Sequence, residues 1–151
     1  MNKKEKALIL LGILFISFNL RAPITAVGSV VDLIKEEYLL SSGMAGFITT
    51  LPLIAFAIIS PFVSRFSQKL GFGKAMTAGL ILILIGELVR SYTNVSGLFI
   101  GTALLGIGIA IGNVIIPSII KLKFSNNVGF VTSIYTSGMC IFAAVGAGVS
   151  V

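Results

Sequence analysis

Few side chains in this sequence can do chemistry, and those few sit among apolar neighbours. Arg21 comes first. It follows the uncharged run Ala7–Leu20, and at about 1.5 Å per residue it lies roughly 20 Å into a helix begun near Ala7. A guanidinium at that depth costs on the order of 3 kcal/mol on insertion scales, so such a residue faces a cavity or a partner. Asn19 and Thr25 add polar groups on either side, and Pro23 removes a backbone donor and frees a carbonyl. In this stretch the planar fork of Arg21 could present itself to a carboxylate-like or resonance-delocalised solute. The same arginine could instead be held in a structural ion pair with Glu87, or snorkel to a helix end.

The remaining candidates are sparser. Glu87 and Arg90 stand three apart in a later apolar run, which places them on one helix face. A local ion pair near the outer surface and proton coupling through Glu87 are both open readings. Asn113 follows Gly106, Gly108 and Gly112. It can donate and accept, either towards a solute or Arg21, or as a bond between helices. Tyr135 is a weaker candidate in the last run, where Thr136 and Ser137 can satisfy carbonyls of their own helix. The sequence has no His and a single Cys, Cys140. No catalytic nucleophile–base pair, metal-ligand set or cofactor fingerprint is therefore expected, and the glycine spacing around Gly108 lies in an apolar run rather than after a strand. An enzyme is the least favoured class.

The elements that must position these groups are membrane helices. Hydrophobic residues make up 56% of the 151 and charged residues only 11%, with a mean hydropathy of +1.09. About a quarter of a soluble chain is charged; here there is too little charge to coat a globule, and lipid is the solvent that tolerates the surface. Five runs approach the roughly 20 residues needed to cross the hydrocarbon: about 7–31, 43–63, 75–92, 98–120 and 128–151. The polar segments between them, Asp32–Ser42, Ser64–Lys74, Thr93–Gly97 and Lys121–Asn127, are short, which favours antiparallel neighbours. The predicted fold class is an all-α membrane protein.

Charge orients it. Lys3, Lys4, Lys6, Arg65, Lys69, Lys74, Lys121 and Lys123 would lie on the side of the N-terminus, against Lys35 and Arg90 on the other. Such a split places the N-terminus in the cytoplasm of a bacterial cell, the protein being multi-pass in its inner membrane. The net charge of +6 is thereby an orientation signal, and no nucleic-acid partner is expected. Lys-rich Met1–Lys6 before an apolar run resembles a signal peptide, with small residues near Ala22 and Ala26. Resumption of the apolar stretch to Val31, and Arg21 itself, argue for a retained span. No charge follows Lys123 and the chain stops at Val151 within an apolar run, so a truncated reading frame or a part of a longer protein is expected.

The whole chain resembles the N-terminal half of major facilitator superfamily transporters, specifically the cyanate/nitroimidazole (CynX/NimT) group. The resemblance is carried by Asn19-Leu20-Arg21-Ala22-Pro23-Ile24-Thr25, by Thr49-Thr50-Leu51-Pro52-Leu53-Ile54-Ala55-Phe56, by Gly108 to Pro117, and by Tyr135-Thr136. It implies a major-facilitator-type bundle of which these are the first five of twelve helices, with a solute bound at midplane between two halves. It also implies that the first and fourth spans line the cavity and the third is peripheral. Arg21, Asn19, Thr25, Asn113 and Tyr135 become solute-site candidates, and Glu87 and Arg90 a pairing or coupling site. Gln68, Lys69, Gly71 and Lys74 become the cytoplasmic gating loop. The superfamily pattern Gly-x-x-x-Asp-Arg-x-Gly-Arg-Arg is degenerate there, with Gln68 at the Asp position, and the arginine of proton-coupled members would fall at Thr102. The expected function is secondary transport of a small anionic or polar solute such as cyanate or a nitro-compound. Its partners would be the bilayer, that solute and the missing C-terminal half. A truncated non-transporting membrane protein, or an accessory subunit packing on partner helices, is the alternative.

Overall fold

The computed structural model describes the backbone at residues 2–29, 31–92 and 94–149, and all side chains within these except those at 3, 22, 24, 26, 27, 29, 92 and 149. Ala22, Ile24 and Ala26 of the expected motif and cleavage region, and the chain end at Val151, thus lie outside the described side chains. The described residues form α1 (Lys3–Ser29), α2 (Val31–Glu37), α3 (Ser42–Leu70), α4 (Phe72–Tyr92), α5 (Val95–Lys123), a 3-10 turn (Ser125–Asn127) and α6 (Val128–Val149). Four stretches among the described residues are long and apolar enough to cross a membrane: Ser42–Leu70, Phe72–Ser91, Val95–Lys123 and Ser125–Gly148. The first expected run is also helical. α1 is 27 residues long, about 40 Å.

The helices outrun the apolar segments that announce them. α3 continues through Ser64–Leu70, a polar stretch whose Arg, Gln and Lys are good helix formers. It stops at Gly71, whose φ of 85° only glycine adopts readily and whose N–H bonds the Ser67 carbonyl. α4 begins at the next residue. The segment 32–42, expected as a plain connection, contains the short helix α2. Its Ile34 joins Tyr38, Leu40, Ile48, Leu98, Val95 and Phe99 in a small apolar cluster, leaving Asp32, Glu36 and Glu37 exposed.

α5 is the central helix. Fourteen of its residues are buried, and it packs on α4 and α3, while α1 packs chiefly on α6. Glycine makes the approaches close. A Cβ on Gly101 would lie 2.6 Å from the Gly86 carbonyl, and one on Gly108 2.6 Å from that of Gly79, so α4 and α5 touch backbone to backbone. Gly106 meets the Cα of Pro52 on α3 at 2.7 Å from the same ideal position, and Gly112 receives the side chain of Leu20 from α1. α1 and α6 are joined by an edge-to-face pair, Phe18–Phe142, with centroids 5.1 Å apart. Outward, the bundle is apolar: Leu8, Phe15, Phe62, Leu84 and Ile141 are each more than 60% exposed or close to it, a surface suited to hydrocarbon. Lys6, at the start of α1, and Lys123, at the end of α5, line one open cleft of ≈ 230 Å³. Two of the basic segments therefore share one end of the bundle.

Candidate site at the junction of α1, α5 and α6

α1 remains helical through Pro23, which leaves the Asn19 carbonyl without its usual partner. Leu20 is 1% exposed and seats on Gly112, fixing the rotation of α1 against α5. Successive residues turn by about 100°, so Arg21 points away from that contact towards α6, with Thr25 one turn on along the same side. The Thr25 hydroxyl donates to the Arg21 carbonyl at 3.2 Å. On α5, the residue after Gly112 is Asn113, whose Oδ1 accepts from the Tyr135 hydroxyl of α6 at 2.8 Å. Tyr135 is 5% exposed, and the Arg21 charge lies within electrostatic reach of its phenol. Three helices thus bring a cation, an amide and a phenol to one side of the bundle. Among the described residues the Arg21 side chain makes no ion pair or hydrogen bond, and it is exposed.

The arrangement suits a small solute with delocalised negative charge. The guanidinium offers a planar fork, and the Asn113–Tyr135 pair offers a fixed dipolar wall. Replacing Tyr135 by Phe removes the cross-helix bond. That is expected to lower thermal stability by about 0.6–1.7 kcal/mol, read as a lower melting temperature in detergent, with α5 and α6 still associated. A melting curve identical to wild type would show the bond to be idle.

Other sequence candidates fall elsewhere. Asn19 sits two residues from Arg21, nearly half a turn around α1; its amide donates to the Phe15 carbonyl at 3.1 Å, and it is exposed with Leu11 and Phe15. It is not brought to the Arg21 side. Glu87 bonds Arg90 at 2.6 Å, so the pairing of Arg21 with Glu87 is not formed. Arg90 also reaches across to α1, where Nη1 lies 3.5 Å from the Pro23 carbonyl. Nothing in the sequence marks that contact, since 67 positions separate the two residues. Thr102 is 2% exposed and donates to its own helix at Leu98. Gln68, Lys69 and Lys74 are exposed about the α3–α4 junction, where Gly71 supplies the turn and Gln68, being neutral, cannot form an ion pair.

Long apolar helices, an apolar core and an outward-facing apolar surface define a multi-pass membrane protein. The chain belongs to the Major Facilitator Superfamily, whose profile matches residues 9–151. It is 50% identical over 151 residues to the uncharacterized transporter YycB of Bacillus subtilis (strain 168), covering 99% of this chain and 38% of that protein. It is 38% identical over 148 residues to the 2-nitroimidazole transporter of Escherichia coli (strain K12), covering 98% of this chain and 38% of that one. Identity to the cyanate transport protein CynX of the same organism is 27% over 142 residues, covering 93% and 37%. The chain thus spans under two-fifths of the length of these relatives. No solved structure matches it significantly.

Proposed function

We propose that this chain is the N-terminal part of a secondary active transporter that moves a small anionic or polar solute, cyanate- or nitro-compound-like, by alternating access. The observation that carries the reading is Arg21 within electrostatic reach of Tyr135, whose hydroxyl bonds Asn113. A cation carried within an apolar run and open on the bundle surface, with no anionic partner among the described residues, is what a site for an anionic or strongly dipolar solute requires. Relatives named for a nitroimidazole and for cyanate support that solute class, both being small and polar. Arg21 would hold the solute, Thr25 would border it, and Asn113 and Tyr135 would orient it from the facing helices.

In this reading five spans belong to one half of a twelve-helix carrier, and the second half completes the cavity at midplane. The N-terminus lies in the cytoplasm of a bacterial cell, a reading supported by the eight-to-two split of basic residues between alternate segments and by Lys6 and Lys123 sharing one end of the bundle. The α3–α4 junction around Gln68, Lys69, Gly71 and Lys74 then faces the cytoplasm, where it would bend as the halves rock. Lacking the acidic residue of the superfamily pattern, it would do so without that salt bridge.

The test is ligand-dependent thermal stabilisation of the purified full-length transporter, screened with cyanate, 2-nitroimidazole and other small anions. A ligand that binds only the folded state at a hundredfold excess over its Kd adds about 2.7 kcal/mol. At least one of these solutes is expected to raise the melting temperature. No shift with any small anion or nitro-compound at millimolar concentration would count against the reading.

A further inference from the structure

The bundle divides into two packed groups: α1 with α6, and α3 and α4 on α5. Deep inside they meet through Leu20 on Gly112 and through Tyr135 on Asn113. Nearer the other end of α1 a different residue joins them. Arg90 of α4 is bonded through Nη2 to Glu87 at 2.6 Å and through Nη1 to the Pro23 carbonyl of α1 at 3.5 Å. Its side chain is only 14% exposed. We infer that Arg90 is a positioning residue for the solute site: it holds the proline-bearing stretch of α1, and with it Arg21 and Thr25, at a set place against α3, α4 and α5. The inference takes the identity of the site from the proposed transport function; the strut itself does not depend on it.

The surroundings are suited to a side chain that only donates. Pro23, Thr49, Thr102 and Arg90, with Ile48, Pro52 and Leu105, enclose a cavity of ≈ 10 Å³, room for about one water. The Thr102 hydroxyl donates its proton to Leu98 and that of Thr49 to Gly46, so each presents lone pairs alone to the space between them. The Pro23 carbonyl and the Glu87 carboxylate add two more acceptors. A guanidinium has five N–H donors and no acceptor, and it is the group this set of acceptors matches.

The pair is badly designed for stability, which is the argument for geometry. The Glu87 side chain is 41% exposed, and an ion pair with one partner so open contributes little stability. What such a pair can do is select one arrangement over others. The selected contact falls on Pro23, two residues from both Arg21 and Thr25. Because the Thr25 hydroxyl is tied to the Arg21 carbonyl, a displacement of Pro23 carries both side chains with it.

The strut is tested by pulsed electron–electron resonance on the full-length transporter, with spin labels at the exposed positions Gly28 on α1 and Met44 on α3 and the exposed Cys140 replaced by Ser. The wild type is expected to give one narrow distance distribution. Arg90→Gln should shift and broaden it, Arg90→Lys should restore part of it, and Glu87→Gln should move it the same way by less. Ser133→Ala, whose hydroxyl bonds only within α6, should leave it unchanged. A lower melting temperature in Arg90→Gln with an unaltered distribution would make Arg90 a structural residue only and overturn the inference. If Arg90→Gln is not recovered folded, Glu87→Gln decides alone, and an unchanged distribution there also overturns it. Arg21→Gln separates the two claims: it should keep the wild-type distance, and its transport result bears only on the proposed function.

Discussion

Replacing Arg21 by Gln in the full-length protein is expected to abolish transport while membrane insertion and thermal stability stay near wild type. The two halves of this expectation have separate causes. Arg21 makes no ion pair or side-chain hydrogen bond among the described residues and is exposed, so the fold loses no bond with it. Removing a charge from within an apolar run relieves an insertion cost of on the order of 3 kcal/mol, so insertion is not impaired. The solute, by contrast, loses a charge-assisted contact of about 1.5–3 kcal/mol, or roughly tenfold to more than a hundredfold in affinity. Gln keeps polarity and most of the length but not the charge or the bidentate fork. Lys at the same position keeps the charge alone and is expected to recover a minor part of the rate. Uptake and efflux of 2-nitroimidazole and cyanate, measured in cells and in proteoliposomes beside a fractionation control, decide the matter. Wild-type transport by Arg21→Gln would remove the binding role.

The second large effect is expected at Gly101. Val there should prevent α4 and α5 from closing, and little folded protein should be recovered from the membrane. A Cβ at Gly101 would stand 2.6 Å from the Gly86 carbonyl, 2.7 Å from the Arg90 nitrogen and 2.9 Å from the Arg90 Cβ. Two of these are backbone atoms, which cannot swing aside as a side-chain tip can. The helices would have to separate, and the Gly79–Gly108 contact farther along the same interface would open with them. Overpacking of a tight core costs typically 1–3 kcal/mol; a backbone clash shared along a whole helix pair belongs at or above the upper end. Separation would also draw Arg90 away from Pro23, because Gly101 abuts the backbone of that very residue. Gly46→Ala is the control. A Cβ there meets nothing within 4 Å, and in a helix the change should be neutral or stabilising by up to about 1 kcal/mol. Thermal melting in detergent and the monodisperse yield report both variants, and a Gly101→Val protein melting like wild type would contradict the backbone contact.

Much of this architecture is legible in the order of residues, because the bilayer imposes a one-dimensional rule. Any stretch that crosses hydrocarbon must be apolar and must satisfy its own backbone, so the runs beginning at Ala7, Gly43, Ala75, Leu98 and Val128 announce helices without reference to one another. The family motif around Arg21 and the glycines of the fourth run are local for the same reason. Helix ends are less legible. The Ser64–Leu70 extension of α3 is polar yet helical, and only the positive φ of Gly71 ends it. The short helix α2 forms because Leu40, Ile48 and Leu98 offer Ile34 a place to be buried, and those partners come from three separate segments.

The composition of the candidate site was decided in space. Asn19 and Arg21 are two residues apart and look like one polar patch in the sequence, but the helical turn sends them to different sides of α1, and Leu20 on Gly112 settles which side faces α5. Asn113 and Tyr135 stand 22 positions apart and share a hydrogen bond. Glu87 and Arg90 are near enough in sequence for their pairing to be foreseen, whereas the reach of Arg90 to Pro23 could not be, since it depends on glycine having brought α4 against α5. Sequence alone determined that this chain is a set of long apolar helices of a membrane protein, with a cation within the first apolar run. The tertiary structure determined which polar groups that cation meets and which residue steadies the helix that carries it, because rotation and proximity of packed helices are properties of their contacts and not of any one segment.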